Sequence, residues 1–418
     1  MFYEAPQVCT ACRRLKRRCS RNLPICSLCR RLGKDYEYPS HASQGSSSDG
    51  WTYGLFQGPD HPFPPQFFLD QDLHSPLHTT QLSWSSQPEL KFHALKHLDV
   101  DTPTLYNEYA SKVHIWLPML SRKRLLDDGI ESSEKTDACH SVLLLCMKLC
   151  IEKPNDVPSK STSYIAAKSL CAAAEQAEYL SLRLVQSLVL LTFYEICHGI
   201  QPAAFMTISK SARMGSLIGL YATQYSSNLF QDTPTWTASE EARRTWWPMF
   251  VLDRYMLMDV NGLPFSVPDP ATEELLPVND IDWDTGKAVA SESLYTSSFS
   301  NNTVLGPFAM LCQASNILSK IQQHRMRNKS SSEPLEELVK EALHLDRISS
   351  ALQVSIQDCC KKLSNETSLF ISTLAVCCAA RFCLYSMYAC HTSFGRGIST
   401  PLQTDMQHLS LEGISGLV

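Results

Sequence analysis

The stretch CTACRRLKRRC, residues 9–19, decides the fold of the N-terminal segment. Seventeen residues on, CSLCRRLGKDYEY (26–38) repeats it, with Cys9, Cys12, Arg13, Arg14, Leu15 and Cys19 aligned against Cys26, Cys29, Arg30, Arg31, Leu32 and Tyr36. Cys-x2-Cys supplies two thiolates from one tight turn, which suits the tetrahedral geometry of zinc. Two such pairs with Cys19 between them offer five ligands in 21 residues. So short a segment, with few large apolar side chains, cannot fold on hydrophobic burial, so metal binding has to supply its folding free energy.

The same stretch carries charge. Residues 1–38 hold nine basic side chains against Glu4, Asp35 and Glu37, about +6, which leaves about −11 for the rest of a chain whose net charge is −5. A compact cationic head on an acidic body points to a polyanionic partner. By itself RRLKRR reads as a nuclear-localisation signal or a solvated basic run. Interleaved with zinc ligands, it reads as a DNA contact.

The 418 residues, 44% hydrophobic and 9% aromatic, suffice for two or three domains with a sizeable core. MFYEAPQ has no apolar run behind a basic region, so no secretory signal is expected, and the chain should stay in the cell with its cysteines as thiols or metal thiolates. Residues 39–100, rich in Ser, Pro, Gln and Gly, read as a disordered linker in which WTYGLF and PQFFLDQDL are the apolar clusters. From 101 to 418 the pattern is helical, notably at 137–153, 182–199 with Gly199 as a stop, 205–221, 334–364 and 367–391. In 237–258 a capping box of Thr237 and Glu240 and a kink at Pro248 are expected. The fold class is therefore all-α: a zinc-stabilised two-helix cluster (1–38), a linker (39–100) and a large helical domain (101–418). STLAVCCAARFCLYSMYAC (372–390) is long enough for a membrane span, but Arg381 at its centre argues for a buried helix.

Cys-x2-Cys-Arg-x2-Lys-x-Arg-Cys, followed after six residues with Pro24 by the next pair, resembles the fungal zinc binuclear-cluster transcription factors. The resemblance implies two zinc ions, with Cys9 and Cys26 bridging both, Cys12 and Cys19 completing one, and Cys29 with the residue at 36 completing the other. Tyr36 departs from the pattern, which has cysteine there. The fourth ligand of the second zinc then comes from Tyr36 itself, Asp35, Glu37, His41 or a water, all poorer than a thiolate. The resemblance also implies a short helix in the major groove of DNA, with Lys16 reading a CGG triplet while Arg13, Arg14, Arg17 and Arg18 neutralise phosphates.

HIWLPMLSRKRL (114–125), EEARRTWWPMFVLDRYMLMDVNGLPFSVPD (240–269) and LPVNDIDWD (276–284) resemble the fungus-specific transcription-factor domain, with Leu263 in place of the usual arginine. Read from the residues alone, Trp246, Trp247, Phe250 and Val251 form an apolar helix face, and Asp253 pairs with Arg254. Cys139, Cys146 and Cys150 lie on an apolar stripe and, with Cys359–Cys360 and Cys377–Cys378, read as core packing. No nucleophile–base pair or phosphate-cradling glycine loop appears, so no enzyme is expected. The expectation is a nuclear, zinc-dependent, sequence-specific regulator of RNA polymerase II transcription. Homodimerisation and transcriptional coregulators are further possible partners; a membrane is not among them. The alternative is a regulator that works through protein partners because the sixth thiolate is lost.

Overall fold

Most of the chain that is described is helical; the computed structural model describes residues 8–14, 16–22, 26–33, 94, 96–98, 101–125, 138–152, 160–221, 235–260, 262–271, 273–294, 305–330, 333–362, 367–390 and 400–417. The chain divides into two units, 1–73 and 74–418. Nearly all of the linker reading, and the clusters WTYGLF and PQFFLDQDL, fall outside the described residues.

The first unit contains α1 (Thr10–Arg14) and α2 (Ser27–Leu32). Each starts directly after the first cysteine of a pair. The Arg13 backbone N–H donates to the Cys9 carbonyl at 3.0 Å, and the Arg30 N–H donates to that of Cys26 at 2.9 Å. That one turn carries Cys12 and Cys29 inward, where both are buried. The sequence repeat is thus a structural repeat. It extends to the exits, because Lys16 (φ +46°) and Gly33 (φ +58°), also seventeen apart, both take the left-handed conformation.

In the second unit, α3 (Thr102–Tyr109) continues through a π turn, Ala110–His114. There follow α4 (Ala138–Ile151), α5 (Thr162–Gln176), α6 (Leu182–Cys197), α7 (Gln201–Leu217) and α8 (Trp236–Met256). The short α9 (Asp280–Thr285), α10 (Pro307–Ser330), α11 (Leu335–Lys362), α12 (Ile371–Tyr388) and α13 (Pro401–Leu417) complete it. Among the described residues there is no strand; an isolated bridge joins Leu275 and Ser293. The all-α expectation holds.

One core is built from α3 to α8 with the first turns of α10, and a second where α10, α11, α12 and α13 meet. Trp246 and Trp247 are both buried in the first; the Trp246 ring stacks on Phe250 and meets the edge of Trp247. Cys139 and Cys146 are buried there too, as core packing requires. Cys377 is buried in a small third cluster, against which Cys359 and Cys360 pack half-buried.

One sequence expectation about α8 is corrected. Its N-cap is Thr235, whose side chain accepts a hydrogen bond from the Ala238 N–H at 3.2 Å, not Thr237. Glu240 does not close a capping box; it is fully buried and pairs with Arg243 and Arg244. An ion pair in the core outcompetes a solvent-facing cap for this carboxylate. Pro248 lies inside this helix, which runs from Trp236 to Met256.

Two guanidiniums on α8 are fully buried. Arg244 donates to Glu240 (2.9 Å), Asp280 (2.9 Å) and the carbonyls of Pro118 (3.1 Å) and Val278 (2.6 Å), and its plane lies 5.0 Å from the Trp283 ring centroid. Arg254 donates to Asp253, as the sequence suggested, and to Ser319 Oγ, the Val267 carbonyl and Asp269, between the rings of Phe250 and Phe265. These two side chains tie α8 to the irregular segment 262–280 and to α10.

The stretch around Ser368–Tyr388 is long and apolar enough to cross a membrane by length and composition. It nevertheless buries Thr373, Cys377, Ala380, Leu384, Tyr385 and Tyr388 inside the protein. Arg381 donates to Gln353 at 2.7 Å and to the Tyr385 hydroxyl, and it faces Asp346.

Candidate metal centre and nucleic-acid interface

Because α1 and α2 each turn a cysteine pair toward the same point, five thiols converge although no large apolar side chain drives them together. Sγ–Sγ separations are 3.6 Å for Cys9–Cys29 and Cys12–Cys26, 3.7 Å for Cys12–Cys29 and Cys9–Cys19, and 3.5 Å for Cys19–Cys26. A zinc–sulfur bond of about 2.3 Å puts tetrahedral sulfurs about 3.8 Å apart, so these thiols lie close to the spacing the ion requires. The Sγ atoms of Cys9, Cys12, Cys19 and Cys26 all lie within 4.8 Å of one another, and no other such metal-ligating group occurs among the described residues.

The thiols are electrostatically unequal. Burial pushes the Cys26 thiol up, but backbone hydrogen bonds at Cys29 and Ser20, with the Cys19 thiol and Ser20 hydroxyl, outweigh it and bring it down to about 5. Burial and the surrounding thiols of Cys9, Cys26 and Cys29 push Cys12 up. A divalent cation bound here takes thiolates as ligands, so metal uptake releases protons. When bound, zinc supplies the bonds that hold α1 to α2.

Ser20 is a residue that sequence reasoning missed. Its hydroxyl donates to Cys26 Sγ at 3.7 Å and accepts from the Ser27 N–H at 2.9 Å, linking the loop to the start of α2. Nothing in the spacing of a lone serine marks it. Tyr36, Asp35, Glu37 and His41, the candidates for the sixth ligand, lie outside the described residues, as do Leu15 and Pro24.

Arg13, Arg14, Lys16, Arg17 and Arg18 are all exposed, and among the described residues none forms an ion pair. Here the structure corrects the expected placement. The helix spans Thr10–Arg14, so Lys16, expected on the groove helix, lies beyond it. The Lys16 N–H closes its last turn on the Arg13 carbonyl at 3.1 Å, and the Arg17 N–H closes on that of Cys12 at 3.0 Å.

Residues 7–43 match the fungal Zn(2)-Cys(6) binuclear cluster domain, and residues 106–369 match the fungal specific transcription factor domain. The chain belongs to the fungal zinc-cluster transcription factors. Members of this family are regulators rather than enzymes, and their zinc clusters bind DNA. This factor is 34% identical over 181 residues, 43% of its own length and 98% of the relative, to "Transcription factor BOA15" of Botryotinia fuckeliana (strain B05.10). It is 25% identical over 320 residues to "Pigment biosynthesis transcriptional activator pigB" of Monascus ruber, covering 67% of this chain and 56% of that one. To "Depudecin biosynthesis cluster-specific transcription activator DEP6" of Alternaria brassicicola it is 24% identical over 197 residues, 41% of this chain and 30% of the other. The factor thus spans nearly all of the first relative, about half of the second and under a third of the third. No solved structure matches it.

Proposed function

We propose that this protein is a nuclear, zinc-dependent, sequence-specific activator of RNA polymerase II transcription that serves a biosynthetic gene cluster. In this reading residues 1–38 bind DNA, 39–100 tether, and 101–418 regulate. The gene-cluster part rests on the printed functions of the pigment and depudecin relatives. Cys9, Cys12, Cys19, Cys26 and Cys29 hold the metal; Arg13, Arg14, Arg17 and Arg18 grip phosphates; Lys16 reads guanine in a CGG site.

The observation that carries the role of Lys16 is its backbone. A side chain in the left-handed region costs roughly 1–2 kcal/mol, and the equivalent exit of the second copy uses glycine. Strain of this kind persists where the placement of a side chain is worth more than the strain itself. The test is DNA binding by the full chain in excess zinc, on CGG-containing and scrambled duplexes. Lys16→Gly matches the backbone of position 33, so it should leave zinc uptake intact while lowering CGG preference by about 1–3 kcal/mol. Arg17→Ala should weaken all sequences alike and flatten the salt dependence. Equal losses on both duplexes for Lys16→Gly would remove it as the reader.

Tyr36 supports a second reading, in which the cluster holds metal but has lost groove affinity and the factor acts through protein partners. Zinc uptake with no duplex binding at low salt would establish it.

A further inference from the structure

Five thiols converge in the first unit, but a tetrahedral zinc ion takes four. Two Cys-x2-Cys pairs are the usual source of such a set, and spacing alone would choose Cys9, Cys12, Cys26 and Cys29. The structure points to a different four. The Sγ atoms that all lie within 4.8 Å of one another are those of Cys9, Cys12, Cys19 and Cys26, and Cys29 is outside that set. Cys19 closes it, at 3.7 Å from Cys9 and 3.5 Å from Cys26. The loop also supports this side from outside. Ser20, next to Cys19, donates to Cys26 Sγ at 3.7 Å and accepts from the Ser27 N–H at 2.9 Å. Outer partners of this kind orient a ligand and are worth about 10–100-fold in metal affinity.

Cys29 has different surroundings. It is buried, lies 3.6 Å from Cys9 and 3.7 Å from Cys12, and belongs to the cluster against which Leu28 packs. A thiol so placed, with no metal of its own, packs as a small hydrophobe. A second ion at Cys29 has to share thiolates already bound to the first, and no sixth cysteine completes it, because position 36 is tyrosine. A phenol, with an ordinary pKa of about 10, keeps its proton at neutral pH and is a poorer partner for zinc than a thiolate. The next cysteine along the chain, Cys139, is fully buried in the core of the second unit.

We propose that this N-terminal head holds one zinc ion tightly, on Cys9, Cys12, Cys19 and Cys26, and that Cys29 serves only a second ion held much more weakly. The inference departs from the pair of complete sites that the family pattern implies, and it rests on the reading of residues 1–38 as a zinc-dependent head. One ion suffices to join the two helices, since Cys12 lies in α1 and Cys26 directly precedes α2.

The test is native mass spectrometry of the full chain, loaded with zinc and then exposed to rising concentrations of a competing chelator. One ion should resist a chelator level that strips the other, with the two losses separated by about tenfold or more in chelator concentration. Cys29→Ala should keep the resistant ion and lose the labile one, whereas Cys19→Ala should lose the resistant ion. Tyr36→Cys supplies the sixth thiolate, so it should keep two ions at a chelator level that leaves the unmodified chain with one. Two ions lost together from the unmodified chain would overturn the proposal. So would loss of the resistant ion in Cys29→Ala, or its survival in Cys19→Ala. A chain that retains no ion at the lowest chelator level would sink the zinc-dependent reading of the head as well, which separates the two failures.

Discussion

Arg244 shows what a single side chain does here. RRTWW reads on its face as two exposed arginines before an aromatic pair, yet one of the two is wholly buried, with its guanidinium bonded to two carboxylates and two carbonyls. Sequence alone does not separate Arg243 from Arg244, because burial is decided by Asp280 and Val278, more than thirty residues away. Arg244→Met removes the cation and leaves the fully buried Glu240 with Arg243 as its remaining ion partner. Breaking such a pair costs about 3–5 kcal/mol. The urea midpoint should fall accordingly, with the slope unchanged; a loss below about 1 kcal/mol would mean that Arg243 alone neutralises the carboxylate. The cysteine ligands stand at the opposite extreme. Their spacing was legible because metal chemistry is local, set within one helical turn, whereas Ser20 acquires its bond to Cys26 only when the loop closes.

At the scale of elements, the starts of helices depend on one hydroxyl or carboxylate each, as at Asp101, Ser161, Ser181 and Thr235. The sequence pointed to Thr237 as the cap of α8, and the structure uses Thr235. Thr235→Ala should lower stability by about 1 kcal/mol, while Thr237→Ala should stay within about 0.5 kcal/mol, both read by chemical denaturation. Equal effects would restore the capping box. The long α11 and α12 were visible from their apolar period. α10 was not, because Ser315, Asn316, Ser319, Gln322 and His324 are buried on it and blur the pattern. Ser319 and Gln322 find their partner in Arg254 on α8. His324, fully buried, bonds the Tyr388 hydroxyl at 2.7 Å and Glu341 at 2.6 Å, joining α10 to α12 and α11. Burial holds this imidazole below its usual 6.5, despite the opposing pull of Glu341. The unfolded chain therefore takes up a proton there before the folded one does, and stability is lost as pH falls below about 6.5. Burial raises the Glu341 carboxyl, but hydrogen bonds from Arg327 and His324 outweigh it and hold it below 4.5, so its contribution survives until pH falls further. The melting temperature of the full chain should drop between about pH 7 and 5.5, and His324→Gln should make that drop shallower. An identical slope in the variant would assign the dependence to other groups.

For the whole molecule, two units fold by different physics. Among the described residues, the first has as its core the thiols with Leu28 against them, and the second has clusters of buried Leu, Trp, Phe and Tyr. A zinc chelator should therefore abolish duplex binding and the structure of residues 8–33, seen as collapse of their amide dispersion. The calorimetric transition of the helical body should remain in place. Loss of both together would show that the body needs the metal as well. What the sequence by itself determined was the metal chemistry, the helical class and the family, because ligand spacing, a period of 3.6 residues and an aromatic motif are all local patterns. What only the tertiary structure decided was which charges are buried and where Lys16 leaves its helix. Those depend on which distant carbonyls and carboxylates arrive beside a side chain, and no local pattern carries that information.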